Sequence, residues 1–288
     1  MHCMISCRSI ADADLPAALD LLSRGFRERT REFWTTALDR LAQHPTPAGY
    51  PKYGYILEVQ GMPVGVLLLI YSRVPGYPKD LVRCNVSSWY VEPEYRCYAA
   101  MLVSQALRHK EVTYFNITPA PNTLPILATQ GYRPFSDGLF VSFPAVLAPF
   151  RRGSIRRIDA LERASPALVS PQELELLRCH AGFGCLSVIC HAKHWSPFVF
   201  ISYGRVVKGS KRVALLIYCR SIDEFVANAG PLGGYLLRCG YPAVVLDATG
   251  PIPGLPGYFT TGQRRFYRGP HPPRLGDLAF TELAIFGL

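Results

Sequence analysis

The stretch TPAPNTLPILATQGYRPF, Thr118 to Phe135, comes back as TGPIPGLPGYFTTGQRRF, Thr249 to Phe266. Laid over each other without a gap, the two share Thr118/Thr249, Leu124/Leu255, Pro125/Pro256, Thr129/Thr260, Gly131/Gly262, Arg133/Arg264 and Phe135/Phe266. Identities this dense in one ungapped window point to an internal duplication, and a repeat governs how the rest of a chain is read.

Working outward, each copy closes a longer pattern. Before the first copy, an alternating segment Ile5–Ile10 is followed by a helix that Asp12 or Asp14 can cap, with Pro16 in its first turn. A second helix is expected over 30–43. YGYILEV (53–59) and PVGVLLLIYSRV (63–74), joined at Gln60-Gly61, read as a β-hairpin. LVRCNVSSWYV (81–91) is a long strand, followed by a helix over about 98–109 and the strand VTYFNIT (112–118). A weak helix then ends at Gly131, a C′ glycine. Two strand-like segments, around YRPF and LFVSF, close the half. The second half repeats the order with deletions. SIRRI (154–158) opens it, and the capping box Ser170…Glu173 starts a single helix. CLSVICHA, PFVFISYGRVV and RVALLIYC are strands, the last two joined at Lys208-Gly209-Ser210-Lys211. Ser221…Glu224 reads as a second capping box, on a helix interrupted near Gly230-Pro231. AVVLDAT matches VTYFNIT, and LAFTELAIF reads as a final strand. The polar, basic RRGSIRR around 151–157 marks the boundary between domains 1–150 and 151–288.

The 288 residues suit two domains of ordinary size, and 49% hydrophobic with 18% charged residues suits a folded chain. The net charge of +10 favours anionic partners: a phosphorylated cofactor, nucleic acid or an acidic membrane surface. Nine scattered cysteines without a CxxC pair favour a reducing compartment, and the expected location is the cytoplasm. VGVLLLI (64–70) is too short to span a bilayer, so no transmembrane segment is expected.

This element order resembles that of the GCN5-related N-acetyltransferases. WYVEPEYRCYAAMLVSQAL (89–107) resembles the family's acetyl-CoA motif, and ATQGYRPF (128–135) its "E-K-x-G-F-R" stretch. The resemblance implies an α/β fold of two tandem acyl-CoA N-acyltransferase domains, with mixed, mainly antiparallel sheets flanked by helices. It also implies a site for acetyl-CoA or another acyl-CoA as co-substrate. Carried over residue by residue, that site is Tyr90 and Val91 at the strand end, then Arg96, Cys97, Tyr98, Ala99, Ala100 and Met101. A diphosphate needs converging backbone amides, which a helix N-terminus provides together with its dipole. The family uses Arg/Gln-x-x-Gly-x-Gly/Ala there. Here Arg96 is kept, Ala99 replaces the first glycine, Met101 stands where Gly or Ala is usual, and Tyr98 is bulky. The second half starts its helix with Asp223 and Glu224, which repel a diphosphate, so it is expected not to bind CoA in the usual way. Its expected task is structural, or binding of the acceptor.

The resemblance leaves the catalytic residues unassigned. Leu127 stands where the family often has its tyrosine acid, and neither Tyr114 nor Tyr132 matches that pattern. The hairpin's Glu58 is the candidate base; Glu92 stands just past the long strand. Asn116 and Ser87 or Ser88 are polar positions able to orient an acceptor. Cys179, His180, Cys185, Cys190, His191 and His194 fit no closed zinc spacing, so no metal site is expected. RRFYRGPHPPR (264–274) mixes arginine with aromatics, as single-strand binders do, and equally suits a charged loop. The leading expectation is an acyltransferase, an N-acetyltransferase moving an acyl group from acyl-CoA to an unknown small-molecule or polymer acceptor. The alternatives are an inactive binding or regulatory protein for an anionic ligand or nucleic acid, and an aminoacyl- or peptidyl-transfer enzyme.

Overall fold

The computed structural model describes residues 4–73, 75, 81–150, 152–161, 169–192, 194–204 and 212–287. The chain divides into two compact units. One takes in the described residues up to Arg73, those of 81–118, and Arg268–His271; the other takes in most of 119–267 and 272–287.

In the first unit β1 (Ile5–Ser9) leads to α1 (Leu15–Gly25) and α2 (Arg31–Gln43). Leu15 follows Asp14 with Pro16 in the first turn, as its fixed φ favours. The Asp14 side chain makes no cap bond to α1. It turns back to the Ala11 amide and to Arg8, at 2.8 Å and 2.6 Å. Thr30 caps α2 through the amide of Phe33. β2 (Gly54–Val59) and β3 (Met62–Ser72) form the expected hairpin. Gln60 and Gly61 both take positive φ, +53° and +77°, as a type I′ turn demands. β4 (Arg83–Val91) follows, then a 3-10 turn (Pro93–Tyr98), α3 (Ala99–Ala106) and β5 (Thr113–Asn116). The sheet order is β1-β2-β3-β4-β5, antiparallel except for the parallel β4–β5 pair. Helices cover both faces. A Cβ on Gly25 of α1 would fall 2.4 Å from the Tyr90 ring, while one on Gly65 would meet Val91 and Leu102 of α3. Tyr90 and Val91 are consecutive strand residues and so point to opposite faces.

The second unit begins with α4 (Leu124–Thr129), ended by Gly131 at φ +79°. β6 (Arg133–Ser142) is one continuous strand where the sequence reads as two segments, because it pairs along its whole length. Then come β7 (Ser154–Ile158), α5 (Pro171–Gly182), β8 (Leu186–His191), β9 (Trp195–Tyr203) and β10 (Val213–Tyr218). The turn expected at 208–211 lies outside the described residues. α6 (Ile222–Arg238), β11 (Val244–Ala248) and β12 (Gly257–Arg268) complete the set. The strand order is β7-β8-β9-β10-β11-β6-β12. Along β7 to β11 it repeats the first unit's β1 to β5, again with one parallel pair, β10–β11. The core of this sheet gathers Phe140, Phe198, Phe200, Phe225, Leu232, Leu236 and Leu246. The two-domain reading, with its boundary near 151, differs from this division by compactness. β6 belongs to the first half by sequence but pairs with β11 and β12.

Three expectations are corrected. α6 runs through Pro231 without interruption. Pro231 removes only the bond to the Ala227 carbonyl, and the helix is held from outside, where Gly233 lies against the backbone of Pro144 and Ala145. LAFTELAIF forms no strand; it enters an irregular turn and a short π-helical turn, Leu283–Gly287. Leu278 to Phe286 are buried without a break, so the run has no solvent face to alternate with. The duplicated windows also fold differently. LPILAT is helix α4, while its counterpart enters the strand β12. The shared residues frame the window, and the residues between decide it: Ile126, Leu127 and Ala128 favour helix, Gly257, Tyr258 and Phe259 do not. No described helix is long and apolar enough to cross a membrane.

Candidate functional site

In the first unit β4 pairs with β3 from end to end but keeps its other neighbour, β5, for only three residues. Arg83, Cys84 and Asn85 pair in parallel with Thr113, Tyr114 and Phe115 of β5, and no pairing of these strands continues past that point. Beyond Asn85, β4 is left with β3 alone as its strand partner, so a V-shaped notch opens between β4 and the end of β5. Asn85 sits at the vertex; its amide donates to the carbonyls of Val86 and Phe115, at 3.2 Å and 3.4 Å. The register against β3 then slips by one residue, placing Leu67 opposite Trp89 and Leu68 opposite Ser87. The extra residue is Ser88, at φ +48°, with its hydroxyl 3.0 Å from that of Ser87. Such a bulge bends the strand and re-aims the groups after it.

At the wide end of the notch the 3-10 turn runs straight into α3. φ stays negative from Pro93 to Met101, so no position there requires glycine. Ala99, at φ −56°, therefore costs the backbone nothing. Met101 is 37% exposed; Arg96, Cys97 and Ala100 are exposed, Tyr98 and Ala99 half-buried. The first turn of α3 holds no carboxylate. The amides of Tyr95 and Ala99 are committed to the carbonyls of Glu92 and Arg96.

The carboxylates of Glu92 and Glu58 are both engaged. Glu92 accepts the Tyr90 hydroxyl and the Arg24 Nε–H, both at 2.7 Å. Burial, then the bond to Glu92, raises the Tyr90 hydroxyl above its usual pKa. Glu58 lies on β2 opposite Ser6 of β1, two strands from β4. Arg8 grips both its oxygens, at 3.1 Å and 2.5 Å, and Ser6 donates to one. That places it outside the notch. Tyr114 is buried, its hydroxyl accepting the His109 amide at 3.3 Å, and burial drives its pKa far up. Leu127 and Tyr132 are buried as well. Ser88 and Asn85, which shape the notch, carry no mark in the sequence beyond their polarity.

The second unit builds the same corner and fills it. Ala214 and Leu215 of β10 pair in parallel with Val244 and Val245 of β11, and β10 slips register against β9 at Ile217. Past that point the Cys219 amide donates to the Gly276 carbonyl and the Leu278 amide to the Ile217 carbonyl, both at 2.8 Å. The chain's own segment 276–278 thus occupies the edge of β10. Ser221 caps α6 through the Glu224 amide, but the Glu224 carboxylate turns toward Arg220 at 3.8 Å, so the expected capping box is half made. Asp223 and Glu224 both stand in the first turn. Cys185 and Cys190 are buried and His191 half-buried; among the described residues no cluster of three metal-ligating side chains forms.

A parallel pair that separates beside a bulged strand, built twice in one chain, is the mark of one fold. A GCN5-related N-acetyltransferase from Anabaena variabilis matches with a TM-score of 0.59 over 92% of this chain and 72% of its own, at 11% identity. The chain has the tandem fold of the GCN5-related N-acetyltransferases. The N-acetyltransferase of this family from Kribbella flavida matches at a TM-score of 0.54 and 15% identity, covering 92% of this chain and 71% of that one. Eis1 from Mycobacterium abscessus gives 0.52 and 17%, covering 92% and 73%. No protein-family model matches the sequence and no curated protein aligns with it, so what the N-acetyltransferase likeness carries at these identities is architecture.

Proposed function

We propose that the protein is an acyl-CoA-dependent acyltransferase, an N-acetyltransferase of domain 1–150, with 151–288 as a degenerate copy that supports the fold or binds the acceptor. The observation that carries this reading is the difference between the two notches. The β4–β5 notch has no described strand across it, whereas segment 276–278 lies along the matching edge of β10.

The residues around the first notch suit a nucleotide thioester. The charge of Arg96 and the carboxylate-free start of α3 suit a diphosphate, and the exposure of Ala100 and Met101 leaves it room. Tyr90, Val91 and Arg96 to Met101 form the proposed binding set. When bound, an acyl-CoA supplies an activated carbonyl and a thiolate leaving group. Asn85 then holds the notch open at its vertex, and the Ser88 bulge turns the β4 edge toward the acyl end. The Tyr90 hydroxyl keeps its proton and donates it in a hydrogen bond to Glu92. With Glu58 and Glu92 engaged and Leu127 in the place of a tyrosine, catalysis in this reading rests on positioning.

Calorimetric titration of the whole chain with acetyl-CoA tests the reading, with one site per chain as the expected result. No heat and no thermal shift at saturating cofactor would overturn it. Binding without turnover of amine acceptors would favour the regulatory alternative, which the engagement of Glu58 and Glu92 supports.

A further inference from the structure

The second unit carries an exposed apolar tip that neither notch uses. A 3-10 turn, Pro144–Leu147, follows β6. It packs tightly on α6, where Gly233 approaches the Pro144–Ala145 backbone so closely that an added Cβ would lie 2.2 Å from it. Pro144 is buried by this packing, and at the three-residue repeat of a 3-10 turn Phe143 and Val146 share the opposite side. They are 40% and 61% exposed, and Phe150, just beyond, is 83% exposed. Tyr258 extends the tip, its ring 6.4 Å from that of Phe143.

The rim is basic. From Phe143 to Arg157 the sequence contains four arginines and no carboxylate. Arg152 and Arg156 are exposed. Gly153 packs on Pro231 of α6, which keeps this strand beside the helix. Arg238, exposed at the helix end, reaches back: a Cβ on Gly234 would lie 3.8 Å from its guanidinium and 3.2 Å from Ala148. Arg157 is paired with Asp159 at 3.6 Å, both exposed.

We propose that this tip is a docking surface for an anionic phospholipid bilayer. Valine and phenylalanine side chains held out by a rigid turn gain by entering the acyl boundary, while arginines around them meet lipid phosphates. Charge complementarity selects the partner: a protein interface depletes its core of like charge, and a nucleic-acid site interleaves its aromatics with its cations instead of projecting an aliphatic tip.

The test is co-flotation of the full chain with vesicles of phosphatidylcholine, with and without phosphatidylserine. Binding is expected only when phosphatidylserine is present, falling with added salt. Val146→Ser with Phe150→Ala should weaken it by about tenfold or more, and Arg152→Glu by about fivefold or more. These residues are exposed, so melting temperatures should not change; that control separates lost docking from lost folding. No binding, equal binding to neutral vesicles, or no effect of the Val146/Phe150 pair would overturn the proposal. So would loss of oligonucleotide binding, or of a dimer in solution, in the same variants without vesicle binding.

Discussion

The Cys219 amide donates to the Gly276 carbonyl at 2.8 Å, and this bond lays the chain's own segment along the edge of β10. Gly276 has φ +77°, and a Cβ there would lie 2.5 Å from the Cys219 sulfur. Gly276→Ala therefore combines a left-handed backbone with an overlap. A loss of about 2 kcal/mol is expected in urea unfolding. Adding Cys219→Ala should recover the overlap part only, since the backbone strain stays.

The same corner shows what the residues reveal in advance. The hairpin at Gln60-Gly61 and the box Ser170…Glu173 are local chemistry, and both are present. The notch is not local. It needs a bulge at Ser88, a residue with no turn signature, and an end to pairing that depends on β5 being four residues long. The filling of the second notch was hidden for another reason. Segment 276–286 is buried throughout, its polar Asp277, Thr281 and Glu282 included, and periodicity cannot distinguish such a run from a strand. The engagement of Glu58 is hidden for a third reason: its partner Arg8 lies 50 residues away in sequence.

Asp247 and Arg265 form an ion pair at 3.0 Å with side chains 1% and 4% exposed. In the first copy the aligned residues are Asn116 and Pro134, so the pair belongs to the second copy alone. Asp247→Ala or Arg265→Ala should each cost about 3–5 kcal/mol, because each strands a buried charge. Asp247→Leu with Arg265→Met should cost less than either single change. A double-mutant cycle in guanidinium reads the coupling directly.

His44 is buried, its Nε2–H donating to the Tyr71 carbonyl at 2.8 Å. Burial pushes its pKa down to about 4; the bond to Tyr71 opposes this, and Lys52 adds to it. The unfolded chain, near 6.5, binds the proton more readily, so stability is full above that pH and falls as pH drops toward 4. Between about pH 7 and pH 5 this one group should remove about 2 kcal/mol. Urea midpoints across that range check it, and His44→Gln should flatten the slope. An unchanged slope would assign the acid sensitivity to other groups.

Arg96 is the one cation at the start of α3 that the nucleotide reading requires. It is exposed, and among the described ion pairs no carboxylate holds its guanidinium; its backbone carbonyl accepts the Ala99 amide. Arg96→Glu reverses the charge facing a diphosphate at a helix N-terminus. The loss of attraction and the new repulsion together should weaken acetyl-CoA binding by about tenfold or more, an effect of about 1.4 kcal/mol or above. Desulfo-CoA should lose the same factor, because the diphosphate is common to both. Pantetheine alone should lose nothing, since it lacks the phosphates. Calorimetry of the three ligands against both proteins separates these outcomes. An equal loss for pantetheine would place the effect of Arg96 in the fold of the notch and not in recognition of the diphosphate.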